Sequence, residues 1–456
     1  MEYRISAPKP NTRMVEIELH LENVNDDTLN LHQPAWRPGR YEMGNFARNI
    51  QKMGAFTESG HPLPIQKISR DHWKVECGDT TRVIIRYNYY AAQPDAGACW
   101  VDSSLLYINP VHCCIYADDR LHLPCKLILD IPDSWEIATG LLRKSGKTLQ
   151  ASDFHQLVDS PVFAGADLKH QKYSVGDADF HIWFAGDCLP DWDKIIPPFK
   201  AFTEVQMKMM NGFPVRDYHF MILVLPFRFY HGVEHSNSTV LALGPGSGIM
   251  NDDLFNDLMG VASHELFHTW NVKAIRPADM LPYRYQEENY SRLGWVYEGF
   301  TTYYGDLILA RSGFFSSKTY FEELNQRLQK HYDNYGRLNL SVADSSFDTW
   351  IDGYVPGIPN RKTSIYDEGS LIACILDLFI RKNSSGKNSL DDVMRSLYTD
   401  FALQNRGYRE SDVRVLTEQL SGADASFIFE DLINGTKEYL PVLQELLHEF
   451  GCYISK

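Results

Sequence analysis

His264 and His268 stand four residues apart in the run His264-Glu265-Leu266-Phe267-His268. On an α-helix, residues at that spacing share a face, so both imidazoles can reach one cation. Nitrogen ligands at about 2.0–2.1 Å suit Zn²⁺. Glu265, next to the first histidine, projects toward the water such an ion would activate, and its carboxylate can act there as general base. A catalytic zinc needs a third protein ligand and one open position. Downstream comes Trp295-Val296-Tyr297-Glu298-Gly299-Phe300-Thr301-Thr302-Tyr303-Tyr304, which sets one carboxylate among apolar and aromatic neighbours. Left unpaired, Glu298 would be costly to bury, and a metal removes that cost. The same residues also admit a plainer reading: two satisfied histidines in a buried helix, and a surface glutamate on an amphipathic one.

The elements that must carry these groups are visible in the hydrophobic periods. Leu254, Phe255, Leu258, Met259, Ala262 and Leu266 recur at helical spacing, which predicts a helix from Asp252 through His268, capped by Asn251 or Asp252. A second helix is expected from Leu293 to Arg311, stopped by Gly313. Tyr218–Phe227 is almost continuously apolar and reads as a strand buried on both faces, followed by the glycine-rich Leu243–Gly248. Earlier, Val15, Ile17, Leu19 and Leu21 alternate with Glu16, Glu18, His20 and Glu22, and similar alternation returns at Val83–Tyr89 and Cys125–Ile131. Period two with one polar face indicates half-buried antiparallel strands, and a β-sandwich fills the first third. The last third is helical, with Ser389 and Asp392 set as a capping box. No internal repeat is present, and Asn383-Ser384-Ser385-Gly386 reads as a surface turn.

The chain has 456 residues, 44% apolar and 23% charged, with a net charge of −15. That length suggests two or three domains. The acidic balance disfavours nucleic acid and anionic membrane surfaces as partners. None of the eight cysteines forms a CxxC pair, and the N-terminal run lacks a signal-like apolar core. Reduced thiols in a cytoplasmic protein are therefore expected. The longest apolar stretches, Phe220–Phe227 and Leu371–Ile380, are too short to span a bilayer.

His264-Glu265-Leu266-Phe267-His268-Thr269-Trp270-Asn271-Val272-Lys273-Ala274-Ile275-Arg276-Pro277, followed by the Glu298 segment, resembles the glycyl aminopeptidase family of gluzincins, metallopeptidase family 61. The likeness extends to Pro34-Ala35-Trp36-Arg37-Pro38-Gly39-Arg40-Tyr41, to Asp159-Ser160-Pro161-Val162, and to the region from Ser389 onward. It implies an N-terminal β-sandwich over 1–172, a thermolysin-like α/β catalytic domain over 173–330, and a helical domain over 331–456 that closes the cleft. It implies one Zn²⁺ per chain on His264, His268 and Glu298, and a peptide substrate with a free N-terminus, cleaved after small residues such as Gly or Ala. Family members often carry a PDZ domain beyond the point where this chain ends.

Further roles follow from the resemblance. His231-Gly232-Val233-Glu234-His235 is similar to the family's Gly-x-Glu-His element. Gly232 and His235 would border the substrate and Glu234 would bind its ammonium; the plain alternative pairs Glu234 with His235. His231 stands where a small residue is expected. Tyr366 resembles the gluzincin tyrosine that donates to the oxyanion, as a phenol neutral at pH 7 can. Glu368 stands where a basic residue is expected. Asp306, Asn271 and Trp270 are candidates to orient the histidines. Two rivals remain: an endopeptidase on the same scaffold, and a catalytically silent peptide-binding scaffold.

Overall fold

The computed structural model describes residues 1–355 and 357–454. The chain forms two compact units. The first comprises Met1–Trp192, Asp217–Leu258 and Tyr285–Glu288, and the second Asp193–Arg216, Met259–Arg284 and Asn289–Lys456.

The first unit is β-rich. Its largest sheet has eight strands, with Met14–Glu22 between Glu2–Ser6 and Arg82–Tyr90. Val15, Ile17, Leu19 and Leu21 are buried there while the glutamates between them are not, as the period-two pattern requires. Two four-stranded sheets complete the N-terminal part.

A five-stranded sheet follows, ordered Lys169–Val175, Ala178–Ala185, Asp217–Val224, Ser238–Gly244, Phe229–Glu234. The middle three strands are parallel and the two outer ones antiparallel to their neighbours. Asp217–Val224 is thus an interior strand, which explains its apolar run. It ends at Val224 rather than Phe227, because Pro226 cannot donate to a ladder, and Phe227 is exposed. Gly244 is required by close approach: a Cβ there would lie 2.3 Å from the Leu225 carbonyl oxygen and 2.4 Å from that of Phe227. One core joins this sheet to the N-terminal strands, with Tyr107, Phe163, Met221, Leu223 and Val240 buried together.

The second unit is helical. It takes in the helix Asp252–Phe267 from Met259 onward, and that helix ends one residue before His268, although His268 N–H still donates to the His264 carbonyl at 3.3 Å. The helix expected over 293–311 is in fact two, Gly294–Tyr297 and Gly299–Arg311, broken at Glu298. Asp367–Asn383 is buried along most of its length and packs on Gly299–Arg311. Gly299 and Gly369 make that crossing possible, since a Cβ on Gly299 would lie 2.4 Å from the Gly369 Cα. The capping box forms, with the Asp392 carboxylate accepting from Ser389 N–H at 2.8 Å. No helix among the described residues is long and apolar enough to cross a membrane.

Candidate active site

Three ligand atoms converge in the second unit. The Nε2 atoms of His264 and His268 lie 3.0 Å apart. Glu298 Oε2 lies 3.4 Å from His268 Nε2 and 3.9 Å from His264 Nε2. A tetrahedral ion with bonds near 2.0–2.1 Å would set its ligand atoms about 3.3 Å apart, so this spacing and donor set fit Zn²⁺. His268 Nδ1 is 2.6 Å from the Asn271 carbonyl oxygen. That contact requires the proton on Nδ1 and leaves the Nε2 lone pair facing inward. Burial, with His268 and Arg327 nearby, holds His264 well below the ordinary imidazole range, so it too is neutral.

The break at Glu298 has a partner that completes it. The Asn271 amide donates to the Val296 carbonyl at 3.0 Å and lies 3.1 Å from Thr301 Oγ1. One residue therefore orients His268 through its backbone and fixes the Glu298 segment through its side chain. Two more contacts hold the His264 helix. Gln206 donates to the Ser263 carbonyl at 2.8 Å, and Ser263 Oγ donates to the Gly305 carbonyl at 3.0 Å. Glu265 is buried beside the cluster, with a carboxylate oxygen within 4.8 Å of a His268 ring nitrogen.

The other candidates separate. Asp306 is held by Arg327, whose Nε donates to its Oδ2 at 3.2 Å. The same guanidinium reaches Asp367 at 3.5 Å. Trp270 is fully buried and packs on Phe213 and Phe267. Tyr366 stands immediately before the helix Asp367–Asn383, and Ser370 N–H donates to its carbonyl at 2.9 Å. Glu368, the unexpected acid, is buried against His331, with Nδ1 to Oε1 at 2.8 Å, and His331 Nε2 meets Glu438 at 3.0 Å. The two carboxylates raise His331 against the opposing effect of burial.

In the first unit, Gly232 and Glu234 lie on the strand Phe229–Glu234, with His235 just beyond it. His235 pairs with Asp159 at 3.2 Å rather than with Glu234, and Asp159 also accepts from Ser236 N–H at 3.0 Å. Glu234 is buried, and its Oε1 has no hydrogen-bond partner among the described residues. Gly39 backs the carboxylate so closely that a Cβ there would lie 2.3 Å from Glu234 Oε2, and its φ of +81° also favours glycine. Gly97 admits Arg37 in the same way, at 2.2 Å from Nη2. Burial, then the nearby Arg37, pushes His231 down to about 4, so the imidazole is neutral. Gly39, Arg37 and Asp159 were visible only as motif letters, because their partners are remote in the chain.

The Peptidase M61 N-terminal domain matches residues 2–166, and the M61 glycyl aminopeptidase domain matches residues 257–372. An aminopeptidase N family protein from Idiomarina loihiensis is similar over all of this chain and 79% of its own, at 29% identity and a TM-score of 0.94. An M1 zinc metallopeptidase from Deinococcus radiodurans shares the fold at 14% identity and a TM-score of 0.58, over 96% of this chain and 93% of that one. A mutant of an M1 zinc metallopeptidase from the same organism, crystallised with a Tyr-Ser-Ala substrate, gives a TM-score of 0.56 at 14% identity, over 96% of this chain and 94% of that one. No curated protein matches.

Proposed function

The chain belongs to the M61 glycyl aminopeptidase family of metallopeptidases, and from that premise we propose that His264, His268 and Glu298 hold one Zn²⁺ for removal of single residues from peptide N-termini. The observation that carries this is the meeting of two imidazole nitrogens and a carboxylate oxygen at 3.0–3.9 Å. When bound, Zn²⁺ supplies Lewis acidity to the scissile carbonyl and to water. Glu265 takes the proton from the attacking water and returns it to the leaving amine. Tyr366 donates to the oxyanion, and as a neutral phenol it need not lose a proton to do so.

Glu234 receives the substrate's ammonium. Its buried oxygen lacks a partner in the described structure, and an ammonium supplies the charge-assisted hydrogen bond it wants. Gly232 and His235 border the same strand end. The division at 1–172, 173–330 and 331–456 is the functional layout we assign to the chain. Preference for Gly or Ala is the finer part of the proposal, and the neutral His231 is compatible with it.

Two measurements test the reading. Glu298→Ala is expected to lose bound zinc, whereas Glu265→Gln keeps the metal and loses nearly all turnover, because an amide cannot accept the proton. Full zinc occupancy in Glu298→Ala removes Glu298 from the site. Second, N-acetylation of a peptide is expected to cost about a hundredfold or more in kcat/KM, roughly 2.7 kcal/mol. Equal cleavage of free and acetylated peptides makes the enzyme an endopeptidase, and no cleavage of either makes it a binding scaffold. A preference for Leu or Phe keeps the exopeptidase and discards the small-residue preference.

A further inference from the structure

Away from the HExxH cluster, the first unit carries a second group of metal-ligating side chains on one face of its five-stranded sheet. The strand registers make a grid. Asp179 stands opposite Asp217 and His181 opposite His219 on adjacent parallel strands. On the edge strand Lys169–Val175, Ser174, Lys172 and His170 pair with Asp179, His181 and Trp183. These residues share a face because directly paired side chains, and those two apart, point the same way.

His181 is the centre of the grid. Its Nε2 lies 3.8 Å from Asp217 Oδ1, and its Nδ1 lies 3.0 Å from His170 Nε2. His219 stacks on its other side at 4.6 Å between ring centroids and accepts from Trp183 Nε1–H at 3.1 Å. One ligand atom from each of Asp179, His181 and Asp217 falls within 4.8 Å of the others.

We propose that Asp179, His181 and Asp217 form a second divalent transition-metal site of the Zn²⁺, Co²⁺ or Ni²⁺ kind. Three arguments support it. Two carboxylates directly opposite on neighbouring strands repel each other, and a cation between them reverses the sign. One imidazole with two carboxylates is a donor set that divalent first-row ions accept. His170 supplies the remaining feature of a built ligand: its Nε2 faces His181 Nδ1 at 3.0 Å and can accept the Nδ1 proton of His181. That fixes the tautomer of His181 with Nε2 directed to the acidic side, as ligating histidines are commonly held.

The competing groups are cations and a hydroxyl. Lys172 Nζ donates to Asp179 Oδ2 at 2.9 Å, and the hydroxyl of Ser174 donates to the same carboxylate. Lys172 is about half exposed on an edge strand, so it can withdraw into water when an ion arrives. Asp217 is 64% exposed at the strand start, which leaves the ion an entry path and room for water as further ligands.

The test uses the intact enzyme with its first equivalent of zinc already bound. Calorimetric titration with further Zn²⁺ at pH 7.5 is expected to show one additional equivalent. His181→Gln is expected to abolish that binding, and Asp217→Asn to weaken it at least about tenfold. Lys172→Gln, which removes the competing ammonium, is expected to tighten it. Because Asp217 lies on the surface, Asp217→Asn leaves the fold intact and keeps the test decisive if His181→Gln fails to fold. Peptide cleavage by the Asp217 variant stays at the wild-type rate. The proposal is overturned if no additional equivalent binds, or if Asp217→Asn binds it as tightly as the wild type does.

Discussion

Asn271 illustrates how much one side chain can do that its sequence position hides. The helical spacing of His264 and His268 is a local property, so the chain displays it openly. The spacing of Glu298 is not local, yet its apolar surroundings mark it, and the structure brings all three together. Asn271 is legible as a neighbour of the motif, but its atoms divide the work unexpectedly: the carbonyl orients His268 while the amide anchors Val296 and Thr301 beside Glu298. Asn271→Ala keeps the backbone carbonyl and loses only the amide. It leaves a buried carbonyl without its donor, at a cost of about 1–3 kcal/mol in stability. Because Glu298 then lacks its anchor, zinc affinity is expected to fall about 10–100-fold. Competition with a chelator measures this. Wild-type affinity in a destabilised Asn271→Ala would make the contact purely structural.

At the scale of elements, the helix over 293–311 was legible in its length and its end, but not in its interruption. Apolar residues occur almost all round it, so no period reveals the interruption at Glu298, where the Asn271 amide holds the Val296 carbonyl and the helix Asp367–Asn383 packs across. That crossing rests on Gly299 and Gly369, with backbone against backbone. Gly299→Ala drives a methyl to 2.4 Å from a Cα that cannot move aside as a flexible side chain would. Overpacking of this kind is expected to cost about 2–3 kcal/mol, and kcat is expected to fall with it, because the helices preceded by Glu298 and Tyr366 are pushed apart. Gly260→Ala is the control. A Cβ there meets nothing within 4 Å on the helix Asp252–Phe267, so it should stabilise by about 0.5–1 kcal/mol. Urea midpoints of the two variants should move in opposite directions; a shift of both the same way would show that the glycine crossing is slack. Glu234 and Gly39 teach the same lesson in the first unit, since a contact between a strand end and a remote loop leaves no trace in any window of sequence.

For the whole molecule, the histidines set the response to acid. His219 is pushed down to about 3 and His231 to about 4, both mainly by burial, and burial with Arg37 nearby holds His112 well below the usual range. Each is neutral in the fold and titrates near 6.5 once unfolded. The unfolded chain therefore binds more protons in acid, and stability rises with pH through that window. These three groups leave the fold fully stable above about pH 6.5 and draw stability away as pH falls toward 4. His331 opposes them: raised by Glu368 and Glu438, it stabilises the fold most below the ordinary imidazole value and loses that contribution as pH rises through its raised one. His264 is set aside, because a bound ion would compete with its proton. Below about pH 6 His331 carries its proton folded and unfolded alike and adds no slope, so these three imidazoles contribute up to about 1.4 kcal/mol each per pH unit, about 4 together, and His72, His170 and His181, also lowered by burial, act in the same direction. Urea unfolding at pH 7.5, 6.5 and 5.5 measures it. His219→Gln, which removes one of the three groups, should flatten the slope by about 1.4 kcal/mol per pH unit. A midpoint that holds steady or rises toward pH 5.5 would mean that these imidazoles are already open to water in the fold, because only burial keeps them neutral there.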